Sequence, residues 1–229
     1  MVAENIKSVR DRIQTACRAA GRDPAEVTLI CVSKTKPVSL IREAYDAGER
    51  AFGENKVQEI QDKYLGLPSD VQWHMIGHLQ RNKVRHVIDK AVLIHSVDSL
   101  RLAQEIEAEA AKKGLRVSIL LEVNVAGEDS KYGLTVEEAP KLAQDVSMMP
   151  HLSLKGLMTI APFVDDPEKN REIFRRLKEL SVDIQSKSID NISMDILSMG
   201  MTNDYEVAIS EGATMVRIGT GIFGERQYL

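Results

Sequence analysis

Eight short apolar runs recur along the chain, each followed by an amphipathic segment or a turn, and this repetition restricts the fold more than any other feature. The runs are "VTLICVSK" from Val27, "RAFGEN" from Arg50, "WHMIGH" from Trp73, "AVLIHSVD" from Ala91, "RVSILLEVNV" from Arg116, "LKGLMTIA" from Leu154, "MDILSMG" from Met194 and "TMVRIG" from Thr214. They are continuous rather than alternating, which is the pattern of strands covered on both faces in a parallel sheet. Eight βα units predict an α/β fold, a single (β/α)8 TIM barrel spanning residues 1–229. An open doubly wound sheet is the alternative. The barrel is favoured because the count is eight and because no Pro/Gly/Ser linker or low-complexity tract divides the 229 residues. An extra N-terminal helix, in "MVAENIKSVRDRIQTACRAAG", precedes the first strand and is expected to cap the barrel bottom or to pack alongside it.

The segments between the runs carry helix punctuation. "SLIREAYDAGER" opens on Ser39 as an N-cap and reaches Gly48 near its end, and residues 98–114 end in Gly114. Thr135 and Glu138 form a Thr-x-x-Glu capping box, and Asn203 with Glu206 suggests a second. Ile173, Leu177, Leu180 and Ile184 fall on one face of a long charged helix.

Composition narrows the function classes. A formal charge of −4 with only 4% aromatic residues argues against nucleic acid. No apolar run reaches the 18 or so residues of a membrane helix, and the N-terminal segment lacks the apolar stretch of a signal peptide. Two cysteines, Cys17 and Cys31, show no CxxC or metal spacing and suit a reducing cytoplasm. His74 and His78 stand four apart but on a strand end and its loop, a poor metal arrangement.

Barrels of this kind carry their sites at the C-terminal strand ends. Those ends are polar or glycine-rich: Ser33-Lys34-Thr35-Lys36, Gly53-Glu54-Asn55, Gly77-His78, His95-Ser96, Glu122-Val123-Asn124, Met158-Thr159, "SMGMT" from Ser198 and "RIGTG" from Arg217. Glycine turns followed by helix starts after strands seven and eight suit a phosphate. "GTGIFG" also matches G-x-G-x-x-G, but only five residues follow Gly224, so a dinucleotide fingerprint is rejected. On an extended strand Lys34 and Lys36 share a parity with Ile30 and Val32, which directs a lysine into the barrel mouth. Desolvation and a neighbouring cation would favour its free amine. A free amine beside a phosphate cradle suggests an imine to a phosphorylated aldehyde, of which pyridoxal 5′-phosphate is the commonest. Arg217 would then donate to the pyridine nitrogen.

"VSKTKP", "FGENKVQE", "WHMIGHLQRNK", "LEVNVAGEDSKYG", "LKGLMTI", "LSMGMTNDYEVAI" and "GATMVRIGTGIFGER" together resemble the pyridoxal phosphate homeostasis proteins, whose barrel is similar to the alanine racemase domain of fold type III. The resemblance implies that Lys34 carries the Schiff base and that Lys36 is an accessory cation. It implies Ser198, Gly219 and Thr220 for the phosphate, helped by Met199 and Gly200 of the "SMGM" turn. Arg217 falls to the pyridine nitrogen and Asn55 to the ring's neighbourhood. His78 and Lys56 depart from the family pattern, which has proline and an aromatic there.

The expectation is a protein that holds pyridoxal phosphate and contributes to its homeostasis, as a cytoplasmic monomer with little or no turnover, with cofactor-dependent apo-enzymes as recipients. No residue is assigned a catalytic role and no metal is expected. Two alternatives stay open. An amino-acid racemase needs a second base opposite the lysine, and none of Tyr45, Tyr64, Tyr132, Tyr205 and Tyr228 is placed for that by sequence, nor is a separate C-terminal domain visible. A sugar-phosphate aldolase would need a carboxylate near the amine, from Glu54 or Glu122. Lys131, in the loop after strand five, is a candidate to receive the phosphate of a cofactor in transit.

Overall fold

The computed structural model describes residues 1–128 and 132–225, so Lys131 and Tyr228 lie outside the described residues. Eight parallel strands close into a barrel in chain order: β1 (Thr28–Val32), β2 (Ala51–Glu54), β3 (Gln72–Met75), β4 (Ala91–Val97), β5 (Val117–Glu122), β6 (Leu152–Met158), β7 (Ile192–Met201) and β8 (Met215–Ile218). Closure runs through the β1–β8 ladder, which pairs Ile30 with Arg217. The doubly wound alternative is thereby excluded.

Helices α2 (Val38–Asp46), α3 (Val57–Tyr64), α4 (Leu100–Lys113), α5 (Ala139–Ser147), α6 (Arg171–Ser186) and α7 (Tyr205–Ser210) follow strands 1, 2, 4, 5, 6 and 7. After β3 the chain makes only a 3-10 turn, Arg81–His86, and after β8 a single turn, α8 (Thr220–Phe223). The N-terminal helix α1 (Val2–Ala19) packs alongside the barrel against α2, α7 and α8. Its buried stripe of Val2, Ile6, Val9, Ile13 and Cys17 supplies apolar cover that one turn of α8 cannot. Arg10 fixes the helix with a two-pronged ion pair to the buried Glu49, at 2.5 and 2.6 Å.

The main core lies between strands and helices, where Phe52, Trp73, Ile94, Leu121 and Leu157 meet Ile60, Ile106, Leu142, Phe174 and Leu177. A second, small cluster of Leu93, Leu120 and Met158 fills the barrel interior. The Thr135–Glu138 capping box forms as expected, with Thr135 N–H donating to Glu138 Oε2 and Glu138 N–H to Thr135 Oγ1. Two other expected caps do not. Helix α2 starts at Val38 after Pro37, ahead of Ser39, because proline's fixed φ suits a helix entry. Ahead of α7, Asp204 accepts the Met201 amide, while Asn203 donates to the Val164 carbonyl.

Candidate functional site

The C-terminal mouth is floored by a polar chain that crosses the barrel. Arg217 on β8 donates from Nη1 to Ser198 Oγ at 2.6 Å and from Nη2 to the Thr159 carbonyl at 2.9 Å. Ser198 Oγ lies 2.9 Å from His95 Nδ1, and His95 Nε2 lies 2.9 Å from His74 Nδ1. Strands β4 and β7 are not neighbours, so His95 and Ser198 can meet only through the interior. All four side chains are buried. Burial pushes the Arg217 guanidinium down to about 10, against the pull of Glu122 and Asp204, so it stays protonated at neutral pH. Burial holds His74 down at about 4 and His95 well below the usual imidazole range, so both rings are neutral.

Glu122, at the end of β5, is buried in the same mouth. Burial and the nearby Asp98 charge raise its carboxyl to about 7, against the attraction of Arg217. Asp98 pairs with His78 Nδ1 at 3.3 Å, and the His78 ring stacks on Tyr132 with centroids 3.9 Å apart. His74 points inward to His95 while His78 turns to Asp98, so the two do not converge on a metal; among the described residues no metal-binding group of three is present.

The lysine segment departs from the extended course expected of it. Strand β1 ends at Val32, and Thr35 takes a left-handed φ of 63°. Ser33 C=O accepts the Lys36 amide at 3.0 Å, which makes residues 33–36 a tight turn. The shared parity of Lys34 and Lys36 is therefore lost. Lys34 is half-buried at the mouth, and Lys36 Nζ donates to the carbonyls of Phe223, Gly224 and Glu225, at 3.1, 3.1 and 2.9 Å. The turn is braced from α3. Lys63 Nζ donates to Ser33 O (3.0 Å), Glu54 Oε1 (2.8 Å) and Glu59 Oε2 (2.8 Å). Ser33 Oγ donates to Glu54 at 2.6 Å, and Thr35 N–H to Glu59 at 2.6 Å. Burial raises the Glu54 carboxyl to about 7 despite Lys63 and Ser33. At Glu59 burial also pushes upward, but the bonds from Lys63 and the Thr35 amide outweigh it and lower the net value.

The remaining expected residues divide. Asn55 sits at the mouth after β2, and its backbone approaches Gly77 so closely that a Cβ there would lie 2.4 Å from Asn55 O. Met199 is buried in the outer core, and Gly200 is required by α7, since a Cβ would lie 2.6 Å from that of Ala208. Thr220 Oγ1 lies 3.2 Å from Thr202 Oγ1 at the adjoining ends of β7 and β8. Gly219 has φ −110°, and a Cβ there would make only ordinary contacts, with Val32 at 3.5 Å. Neither backbone nor packing demands glycine at 219.

His95, Thr159 and Thr202 stand among the polar strand ends without an assigned role, and Lys63 and Glu59 have no place in the sequence-based site. Strand-end parity could have signalled His95, but no pattern in the chain marks Lys63.

A closed parallel barrel with a lysine after β1, an arginine on β8 and glycine turns at the last strand ends defines a barrel of the alanine racemase type. Residues 5–227 match the family described as alanine racemase, N-terminal domain. The chain is 46% identical over 226 residues to the pyridoxal phosphate homeostasis protein of Aquifex aeolicus, covering 98% of each chain. Among solved structures it superposes on an unknown protein from Bifidobacterium adolescentis with TM-score 0.93 and 37% identity, covering 97% of this chain and 94% of the other. PipY of Synechococcus elongatus with PLP bound gives TM-score 0.85 and 33% identity, over 98% of this chain and all of PipY. The chain belongs to the pyridoxal phosphate homeostasis protein family.

Proposed function

We propose that this chain binds pyridoxal 5′-phosphate as a Schiff base of Lys34 and keeps the cofactor in a cytoplasmic pool, with little or no turnover of its own. The observation that carries the reading is the placement of half-buried Lys34 and the buried, protonated Arg217 at the mouth of one barrel, beside the Gly219 turn. A relative of 33% identity, PipY, has a structure with PLP bound. The bound aldehyde supplies an electrophilic carbon. Lys34 would be the residue that holds that carbon through its amine.

This chain's residues do the holding. The guanidinium of Arg217 has five N–H donors, of which the bonds to Ser198 and Thr159 use two, so it can donate to a pyridine nitrogen and keep that ring uncharged. Ser198, with its hydroxyl engaged by Arg217, serves the site by orienting that donor. Thr220 and Gly219, with Thr202 adjoining, take the phosphate. Asn55 lies beside the ring. Lys36 acts indirectly, by tying the 33–36 turn to the carbonyls after α8. Two buried free cysteines suit a reducing compartment. We read the chain as a monomer whose cofactor is available to apo-enzymes.

Visible absorption of the purified protein with pyridoxal phosphate, before and after borohydride, followed by peptide mapping, tests the reading. The expected result is a visible band and a reduced adduct on Lys34, both lost in Lys34→Ala with the fold intact. An adduct on Lys36 or Lys131 would overturn the site. A substantial racemase or decarboxylase rate with common amino acids would overturn the non-enzymatic role.

A further inference from the structure

Residue 34 is held between two residues whose backbones are gripped by one buried cluster. On its N-terminal side, Ser33 C=O accepts from Lys63 Nζ and Ser33 Oγ donates to Glu54. On its C-terminal side, Thr35 N–H donates to Glu59 Oε2. Lys63 Nζ joins both grips through its bonds to Glu54 and Glu59. Glu54 is fully buried, Lys63 nearly so, and Glu59 is 19% exposed. Between the grips lies the least favourable backbone of the segment. Thr35, a β-branched residue, sits at φ 63°, a region that is unfavourable for such a residue and persists only where surrounding structure over-determines it. An unbraced turn would relax toward the extended course of β1, carrying the residue-34 side chain with it.

We propose that Lys63, acting with Glu54 and Glu59, is the positioning residue that fixes Lys34 toward the barrel mouth. The proposal rests on the reading of Lys34 as the cofactor-binding amine, and it adds the group that sets the turn carrying this residue. Lys63 itself is not the reacting lysine, since its three hydrogens are engaged by Ser33, Glu54 and Glu59. Among the described residues, charged groups bonded to or within the segment include Glu54 from β2, Glu59 and Lys63 from α3, and Lys36 from the turn itself.

The test compares wild type, Lys63→Met and Glu59→Ala in two measurements. The first uses ligand-free protein: trace acetylation of Lys34 with acetic anhydride over a pH series, read by mass spectrometry against surface Lys7 as internal standard. The second is pyridoxal phosphate titration by the visible band. Both variants are expected to shift the Lys34 acetylation profile relative to Lys7 and to weaken cofactor binding by about tenfold or more, one such interaction's worth. Should Lys63→Met fail to fold, Glu59→Ala decides, because Glu59 lies on α3 at the rim and its loss leaves the Lys63–Glu54 pair in place. Unchanged Lys34 acetylation and cofactor affinity in a folded variant would overturn the positioning role. A wild type that acetylates normally but forms no Lys34 adduct would overturn the cofactor reading instead, while the acetylation comparison would still judge the brace.

Discussion

Arg217 and His95 rise from β8 and β4, on different sides of the barrel, and meet at one oxygen: the Ser198 hydroxyl lies 2.6 Å from the guanidinium and 2.9 Å from the imidazole. An arginine can only donate, so Ser198 accepts there, and its oriented hydroxyl links the cation to two neutral rings. The guanidinium is thereby held at a fixed depth below the mouth, with no carboxylate among the described residues hydrogen-bonded to it.

Removing that oxygen should be felt first in stability. Ser198→Ala leaves a buried, charged donor without its acceptor, a loss of about 1–3 kcal/mol. Urea denaturation should show the lower midpoint with an unchanged slope. A midpoint equal to wild type would mean that Arg217 finds another acceptor.

His74 makes the fold acid-sensitive in a defined window. Its folded value is about 4 against 6.5 unfolded, so between those limits the unfolded chain takes up a proton that the barrel refuses. Stability from this group is full above pH 6.5 and is lost as pH falls toward 4, by about 3 kcal/mol. Comparing wild type with His74→Gln by urea midpoint across that range should show a steeper decline in wild type. Parallel curves would contradict it.

Glu122 should make ligand affinity depend on pH near neutrality. Raised to about 7 by burial and Asp98, it is neutral below that value and adds a negative charge facing Arg217 above it. Affinity for the anionic pyridoxal phosphate should fall several-fold more steeply through pH 7 in wild type than in Glu122→Gln. Equal slopes in the two titrations would remove Glu122 from the site's electrostatics.

The fastening of α1 gives a prediction remote from the mouth. Arg10→Ala leaves Glu49 buried without its partner; because Arg10 is itself half-exposed, the loss is discounted to about 1–2 kcal/mol. Thermal or urea unfolding should report it, with pyridoxal phosphate affinity unchanged in the folded protein.

The chain by itself determined the architecture and the end of the barrel where polar strand ends gather. Eight apolar runs with intervening helical periodicity can bury both strand faces only in a parallel sheet covered by helices, and local polarity at each strand end marks the mouth. Arg217 lies on a strand whose alternation sets its direction, whereas parity left Lys34 and Lys36 level and only the family resemblance separated them. Local rules failed where a residue's conformation is set by distant partners. The extended reading of "SKTKP" missed the left-handed Thr35, because what stabilises that turn is Lys63 and Glu59, on the far side of β2 in sequence. The Ser198 hydroxyl lies within hydrogen-bond reach of His95, 103 residues away, and of Arg217, partners that no local pattern announces. Those contacts exist only after closure brings β4, β7 and β8 around one interior, where a buried polar group must take whatever partner the opposite wall provides.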